Sequence, residues 1–321
     1  MSPRPAGRST PNRRRLIGLG AAACCAAVCA RPQRAASAPQ ETSQAMLTRA
    51  IPQSQEALPV VGFGTWQTFD IGADRSQLEE RKKVLAALFE AGGKVIDSSP
   101  MYGTAEAVVG ELLRDMQAHG QAFLATKVWT SGEAAGQRQM LASFSKLQTR
   151  RIDLMQIHNL LDWRTQLKTL RAWKAAGRFR YIGITHYTVP ELDHLASLIK
   201  SERLDFVQFG YSLNVRAAEA RLLPFAADHG VAVIINQPFD SGALFGKVRG
   251  KTLPEWAAEF DCASWGQFFL KYILGHAAVT CVIPGTAKLE HARDNLGAGV
   301  GRLPDVAQRQ RMRAYWDAGL P

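Results

Sequence analysis

The chain has 321 residues, of which 46% are hydrophobic, enough for one large α/β domain or two ordinary ones, and this excludes a disordered or fibrous protein. Its formal net charge is +11, but seven arginines lie before residue 39 with no acidic residue among them, and subtracting them leaves +4. That remainder is ordinary for an enzyme surface, so the charge does not predict a nucleic-acid partner.

The first 38 residues have the layout of an export signal. Arg13 and Arg14 precede a weakly apolar run at 16–30, and the small residues A-S-A follow at 36–38 as at a cleavage site. The run is too short and too rich in Ala and Gly to be a good membrane span. The paired arginines resemble the twin-arginine signal, so we expect the export machinery as a partner and a periplasmic location. The alternatives are a basic tail on a cytoplasmic protein and, more weakly, a lipoprotein acylated at Cys24.

After a predicted linker at 39–57, short apolar runs alternate with amphipathic stretches. Strands are predicted at 60–66, 94–98, 122–128, 152–158, 180–185, 205–211, 231–237 and 279–283. Helices are predicted at 77–91, 105–116, 140–148, 164–176, 189–200, 217–229 and 262–274. Eight such units in about 240 residues predict a (β/α)8 TIM barrel, an α/β fold, as a single domain over 58–321 with a C-terminal helix. Gly62 and Gly64 are followed by Thr65-Trp66 without the third glycine of the G-x-G-x-x-G motif, which disfavours an ordinary dinucleotide-binding sheet.

Polar residues follow several of these strands at their carboxyl ends. The segment K-V-I-D-S-S-P-M-Y-G at 94–103 is expected to place Asp97 and Tyr102 at the mouth of the barrel. The two residues are either parts of a proton-transfer site or, as the alternative, a capping aspartate and a half-buried tyrosine. Lys127 ends another apolar strand, where a lysine is costly unless Asp97 pairs with it. The lysine charge is expected to lower the pKa of Tyr102 towards neutrality and make it a usable proton donor. His158, in Q-I-H-N, is expected to orient a carbonyl oxygen or pass a proton.

These strand ends resemble those of the aldo-keto reductases over residues 58–299. The family has four catalytic positions, an Asp, a Tyr, a Lys and a His, and they match Asp97, Tyr102, Lys127 and His158. The resemblance implies hydride transfer from a reduced nicotinamide to a small-molecule aldehyde or ketone, with Tyr102 as the proton donor. It implies NADPH as the cofactor, with NADH as a second option, and we expect a monomer.

The cofactor positions match the family less completely. Thr185 and His186 stand where the family commonly has Ser-Asn, and Asn236 stands where an aromatic ring usually stacks on the nicotinamide. The family's frequent Lys and Arg are here Gly285 and His291, so a weaker preference for NADPH over NADH is expected. The implied cofactor-binding residues are Thr65, Asp97, Thr185, His186, Gln208, Asn236, Gly285, Thr286, Lys288, His291, Asp294 and Asn295. The implied substrate-binding residues are Trp66 and Trp129, with plain packing as the alternative.

Two other functions fit the same barrel. One is a cofactor-binding sensor with little turnover, which the altered stacking position allows, and the other is an isomerase or lyase that uses Tyr102 and Lys127 without net redox chemistry. No metal site is predicted, because Cys262 and Cys281, the cysteines beyond the signal, have no Cys or His at ligand spacing. Cys281 lies in an apolar run and is expected to be a buried, inert thiol.

Overall fold

The chain enters the fold through a β-hairpin. The computed structural model describes residues 45–319, so the predicted export signal lies outside the described residues. Strands β1 (Thr48–Ala50) and β2 (Ala57–Pro59) pair antiparallel. The guanidinium of Arg49 donates hydrogen bonds to three main-chain carbonyls at the end of a helix and the loop beyond it, those of Leu274, His276 and Val279. Residues 48–57, expected to belong to a linker, are therefore part of the folded domain.

Eight parallel strands follow and form the barrel, in which each strand pairs with the next along the chain. They are β3 (Phe63–Gly64), β4 (Val95–Asp97), β5 (Phe123–Val128), β6 (Ile152–His158), β7 (Phe179–His186), β8 (Phe206–Gly210), β9 (Ala232–Asn236) and β10 (Cys281–Val282). Parallel bridges from Val61 to Val282 and from Gly64 to Gly285 join the first of these strands to the last. The predicted (β/α)8 barrel is confirmed.

A helix covers the outside of the barrel after each strand. These helices are α1 (Arg75–Glu90), α2 (Ala105–Asp115), α3 (Glu133–Lys146), α4 (Trp163–Ala175), α5 (Leu192–Ser201), α6 (Leu222–Asp228), α8 (Trp265–Leu274) and α9 (Leu289–Gly297). The short helix α7 (Ala243–Lys247) lies in the loop after β9, and α10 (Val306–Asp317) ends the described chain. Within residues 45–319, no helix is both long enough and apolar enough to cross a membrane.

The barrel interior changes from apolar to polar towards the carboxyl ends of its strands. Successive side chains on a strand point to opposite faces, so every second residue faces the interior. On β4, Val95 belongs to the interior apolar cluster and Asp97 follows two residues later. On β6, Leu154 is in that cluster, and Gln156 and His158 follow at the same interval. The polar residues of several strands therefore meet in one layer at one end of the barrel.

Two cysteines lie in the described residues, and both are buried and unpaired. Burial raises the pKa of both thiols, that of Cys262 to about 12. The expected buried, inert thiol at Cys281 is confirmed.

Candidate active site

The loop that carries Tyr102 is fixed by a glycine and an aspartate. Gly103 has a φ of +58°, and a Cβ at this position would lie 2.3 Å from the carboxylate of Asp70. That carboxylate accepts hydrogen bonds from the backbone N–H and the hydroxyl of Thr104, each 2.8 Å long. A glycine is needed here because other residues rarely adopt this φ and because a side chain would displace Asp70.

A buried ion pair lies in the polar layer of the barrel. Lys127 Nζ is 2.6 Å from Asp97 Oδ2 and 2.7 Å from the carbonyl oxygen of Ser98. The other carboxylate oxygen, Asp97 Oδ1, accepts from the amides of Gln156 at 3.1 Å and Gln208 at 3.0 Å. Burial lowers the pKa of Lys127, but the attraction of Asp97 and the nearby phenol outweighs it, and the net shift is upward. Lys127 therefore remains charged and paired, as its position at a strand end predicts.

Tyr102 lies over this pair, with its ring centroid 5.0 Å from Lys127 Nζ. The pKa of Tyr102 is raised, chiefly by burial; the charge of Lys127 opposes the shift and that of Asp97 adds to it. The expectation of a lowered pKa is wrong for this state of the protein, because it left out both the burial of the phenol and the carboxylate that offsets the lysine charge. At neutral pH the phenol keeps its proton.

His158 is a neutral, buried imidazole beside Tyr102, and the two rings meet edge to face with centroids 5.8 Å apart. Burial, followed by the charges of Lys127 and His186, lowers the pKa of His158 to about 3. Its Nδ1 lies 3.1 Å from the hydroxyl of Ser99. A neutral imidazole does not release a proton readily, so the geometry favours hydrogen bonding over proton transfer for this residue.

A cavity of about 740 Å³ opens at the carboxyl end of the barrel above these residues. It is lined by many of the residues expected at the site, namely Thr65, Trp66, Asp97, Tyr102, His158, Thr185, Gln208, Asn236 and Gly285. Lys127 lies beneath it, fully buried, and the exposed ring of Trp129 lies with its centroid 6.4 Å from that of His158. The cavity wall thus contains three of the four predicted catalytic residues, Asp97, Tyr102 and His158. It also contains five residues predicted only to bind the cofactor: Thr65, Thr185, Gln208, Asn236 and Gly285.

Several residues of the site were not predicted. Tyr187, Phe239 and Phe245 add rings to the cavity wall, and nothing in their sequence spacing marks them. Gln156 and Ser99, by contrast, carry a signal: Gln156 precedes His158 by two residues and faces the same side of β6, and Ser99 follows Asp97 by two residues in the turn.

Three residues expected to bind the cofactor, one on each of β7, β8 and β9, form one hydrogen-bonded group. The carbonyl oxygen of the Gln208 side chain accepts from Thr185 Oγ1 and from Asn236 Nδ2, each at 3.3 Å. Asn236 Oδ1 is buried without a hydrogen-bond partner among the described residues. His186 instead turns to its own loop, where it accepts from the backbone N–H of Thr188 and stacks on Tyr187.

The residues expected at the adenosine end lie around the start of α9. Lys288 is the residue immediately before the helix, and it and His291 are exposed while Thr286 and Asn295 are buried. The carboxylate of Asp294 accepts hydrogen bonds from Ser264 Oγ and Gln267 Nε2 on the preceding helix segment, so it ties α9 to α8. None of these side chains lines the cavity, and their roles towards a cofactor stay predictions.

Known proteins place this arrangement in a family. Residues 60–312 match the aldo/keto reductase family. The methylglyoxal reductase YeaE of Escherichia coli is 28% identical over 246 residues, a match that spans 74% of this chain and 84% of the relative. An NADH-specific methylglyoxal reductase of the same organism is 27% identical and spans 74% of this chain and 89% of the relative.

The solved structures agree with that assignment. An aldo/keto reductase from Klebsiella pneumoniae, crystallised with NADP and acetate, superposes with a TM-score of 0.68 at 25% identity and covers 81% of this chain and 93% of its own. The match to the family spans most of the chain, and its range contains the four residues on which the resemblance rested. The protein described here belongs to the aldo/keto reductase family.

Proposed function

We propose that this protein reduces an aldehyde or ketone to the alcohol with NADPH and that Tyr102 delivers the proton. Family membership makes the chain an NAD(P)H-dependent oxidoreductase that acts on carbonyl groups. The observation that carries the role of Tyr102 is a protonated phenol that faces the cavity directly above the buried Lys127 and Asp97 pair.

The residues present fit a nicotinamide dinucleotide. Asn236 lines the cavity, and its Oδ1 accepts no hydrogen bond from the described residues. This oxygen is therefore available to accept a hydrogen bond from the carboxamide N–H of a nicotinamide. At the other end, Lys288 is the N-cap residue of α9 and its side chain makes no cap hydrogen bond to the helix. The backbone amides and positive dipole end of that first turn suit a phosphate, with Lys288 and Arg293 exposed beside them. The cofactor, when bound, supplies the hydride.

The reaction divides among the chain's own groups. The carbonyl oxygen of the substrate lies between the Tyr102 hydroxyl and His158, and the imidazole orients it through a hydrogen bond. As hydride reaches the carbonyl carbon, the oxygen gains negative charge and takes the proton of Tyr102. The phenolate left behind is stabilised by the Lys127 ammonium, whose own charge Asp97 maintains. Water then returns a proton to Tyr102 and restores the resting state.

The test of this role is Tyr102→Phe, which removes only the hydroxyl. We expect kcat to fall at least about 10²-fold while NADPH still quenches tryptophan fluorescence, since Trp66 and Trp129 lie at the mouth. Tyr187→Phe is the matched control, because Tyr187 also lines the cavity but is half exposed and has no assigned part in the proton transfer. Near-normal turnover in Tyr102→Phe would remove the assigned role.

The rival functions give different readouts. A sensor binds NADPH without consuming it, and an isomerase or lyase converts the carbonyl compound without loss of NADPH absorbance. Oxidation of one NADPH for each alcohol formed is the result expected here. Binding of the dinucleotide without such turnover, across a broad panel of carbonyl compounds, would favour the sensor.

The cavity suits an uncharged substrate. Among its lining residues in the described chain there is no Lys or Arg, and the one carboxylate, Asp97, is already paired. An anionic substrate would therefore lose its hydration without gaining a cation in return. Methylglyoxal, the substrate in the names of two relatives, and 4-nitrobenzaldehyde are the first compounds to assay, with 4-carboxybenzaldehyde as the charged counterpart. The charged compound should have the lower kcat/KM.

We also propose that the protein is exported to the periplasm by its twin-arginine-like signal. The support is the sequence: Arg13 and Arg14, the apolar run and the small residues at 36–38. Replacing both arginines with lysine should leave uncleaved protein in the cytoplasmic fraction, while the same change at Arg31 and Arg34 should not. A wild-type chain found full length in the cytoplasm contradicts the proposal.

A further inference from the structure

Ser99 is a fully buried serine whose side chain has no role in the mechanism described so far. It follows the last residue of β4 by two positions, and its hydroxyl oxygen lies 3.1 Å from His158 Nδ1. The same oxygen accepts a hydrogen bond from the backbone N–H of Met101 at 3.3 Å. The hydroxyl therefore lies between the loop that carries Tyr102 and the imidazole of His158, which lines the cavity.

A count of donors and acceptors decides which way the bond to His158 runs. A neutral imidazole has one N–H donor and one bare nitrogen, and burial keeps this ring neutral. If Nδ1 carried the proton, the serine oxygen would accept two N–H groups, and its own O–H would have no acceptor among the described residues. If Nδ1 is bare, the serine O–H donates to it and the serine oxygen accepts from Met101, so the hydroxyl, Nδ1 and the Met101 N–H all have a partner.

We propose that Ser99 is a positioning residue that holds His158 as the tautomer with its proton on Nε2. This inference rests on the proposed reduction of a carbonyl group. With Nδ1 engaged by Ser99, Nε2 is the nitrogen left for a ligand in the cavity, and it makes no hydrogen bond within the described residues. As an N–H donor it attracts the carbonyl oxygen and the negative charge that develops there. In the other tautomer a bare nitrogen would face that oxygen and repel it.

The first experiment is made on the wild-type protein and needs no substrate. Nitrogen NMR of the protein labelled with ¹⁵N in its seven histidines distinguishes bare from protonated ring nitrogens, and His158→Asn assigns the His158 signals by their disappearance. We expect a bare Nδ1 and a protonated Nε2 at pH 7. A protonated Nδ1 in the wild-type protein would overturn the proposal. Because no turnover is involved, this result stands apart from whether the proposed reductase function succeeds.

The second experiment is a double-mutant cycle with a matched control. Ser99→Ala should lower kcat about 3- to 10-fold, the range of one neutral hydrogen bond, and leave the Kd for NADPH unchanged. The loss should vanish in a His158→Asn background, because the serine acts through that ring. Ser98→Ala is the control, because Ser98 is equally buried but its hydroxyl oxygen accepts a hydrogen bond from Thr65 Oγ1, 2.9 Å away, rather than contacting His158. Any effect of Ser98→Ala should persist in the His158→Asn background.

Folding of the variants is checked by thermal unfolding, and Ser99→Cys provides a second variant that keeps a weak donor at the site. Partial recovery of kcat in Ser99→Cys, together with a mixed-tautomer signal in Ser99→Ala, is the expected pattern. A Ser99→Ala protein that keeps both the Nε2–H tautomer and full kcat would show that Ser99 does not set the tautomer. The same conclusion follows if its loss of kcat is undiminished in the His158→Asn background.

Discussion

Replacing Lys127 with methionine tests the buried ion pair, because the substitution keeps the length of the side chain and removes its charge. Lys127 is fully buried and Asp97 is 2% exposed, so water cannot screen the carboxylate that remains. Two amides, those of Gln156 and Gln208, would still donate to Asp97 Oδ1, whereas Oδ2 would lose its partner. Breaking a buried pair by removing one partner costs about 3–5 kcal/mol.

The assay is urea unfolding at pH 7 alongside NADPH turnover. A loss of that size is a large part of the 5–15 kcal/mol typical of a folded domain, so Lys127→Met should shift the midpoint strongly and abolish measurable reduction. Lys127→Met/Asp97→Asn removes the stranded charge as well and should recover part of the stability while activity stays lost.

Lys271→Met is the matched control for burial of a lysine. Lys271 is also fully buried, but its ammonium donates to the carbonyls of Val300 and Arg302 rather than to a carboxylate. Its loss leaves no hydrogen-bonded anion behind and should cost only about 1–3 kcal/mol with turnover retained. Equal costs for the two lysines would refute the claim that a stranded carboxylate drives the effect. So would a double variant no more stable than Lys127→Met alone.

Three further changes have defined outcomes. Gly103→Ala should cost about 1–3 kcal/mol in urea unfolding and lower kcat, because the strained φ and the clash with Asp70 move the loop that carries Tyr102. Gly285→Lys should tighten NADPH at least about 10-fold and leave NADH unchanged in fluorescence titrations, since a Cβ there meets nothing closer than 3.4 Å and the ammonium can reach a 2′-phosphate. The pKa of His158 is lowered to about 3, so below pH 6.5 the unfolded chain takes up a proton that the folded chain does not, and stability is lost as the pH falls towards 3. The slope approaches about 1.4 kcal/mol per pH unit, and His158→Asn should flatten it between pH 6 and 4.5.

The barrel and the polar layer at the carboxyl ends of its strands could be predicted because they depend on patterns that are local in the chain. Continuous apolar runs of five to eight residues separated by amphipathic stretches indicate parallel strands covered by helices, and the observed β5, β6 and β7 fill such runs. A charged or polar residue at the end of such a run must face either solvent or a partner. Lys127 and Asp97 were recognisable for that reason, from opposite charge and matching position alone.

The features that could not be predicted depend on contacts between residues that are far apart in the sequence. The predicted barrel brings Lys127 near Tyr102, and a nearby positive charge lowers the pKa of a phenol. The sequence does not show how deeply the ring of Tyr102 is buried. In the structure burial is the larger effect and Asp97 adds to it, so the pKa of Tyr102 is raised. The hairpin at 48–57 was missed for a similar reason. Its short strands carry little periodicity, and what fixes them is the set of distant carbonyls that Arg49 contacts.

One carboxylate in the polar layer of the barrel links the proposed proton donor to the residues expected to bind the cofactor. Asp97 Oδ2 pairs with Lys127, which lies beside the proposed proton donor Tyr102. Asp97 Oδ1 accepts from Gln208, whose own carbonyl oxygen accepts from Thr185 and Asn236, two residues expected to bind the cofactor. A shift of Gln208 towards a bound carboxamide would change the hydrogen bonding of Asp97 and hence the field at Lys127 and Tyr102. Thr185 and Asn236, which depart from the family pattern, therefore belong to the same hydrogen-bond network as the pair beneath the proposed proton donor. A substitution at Asn236 is expected to alter kcat as well as cofactor affinity.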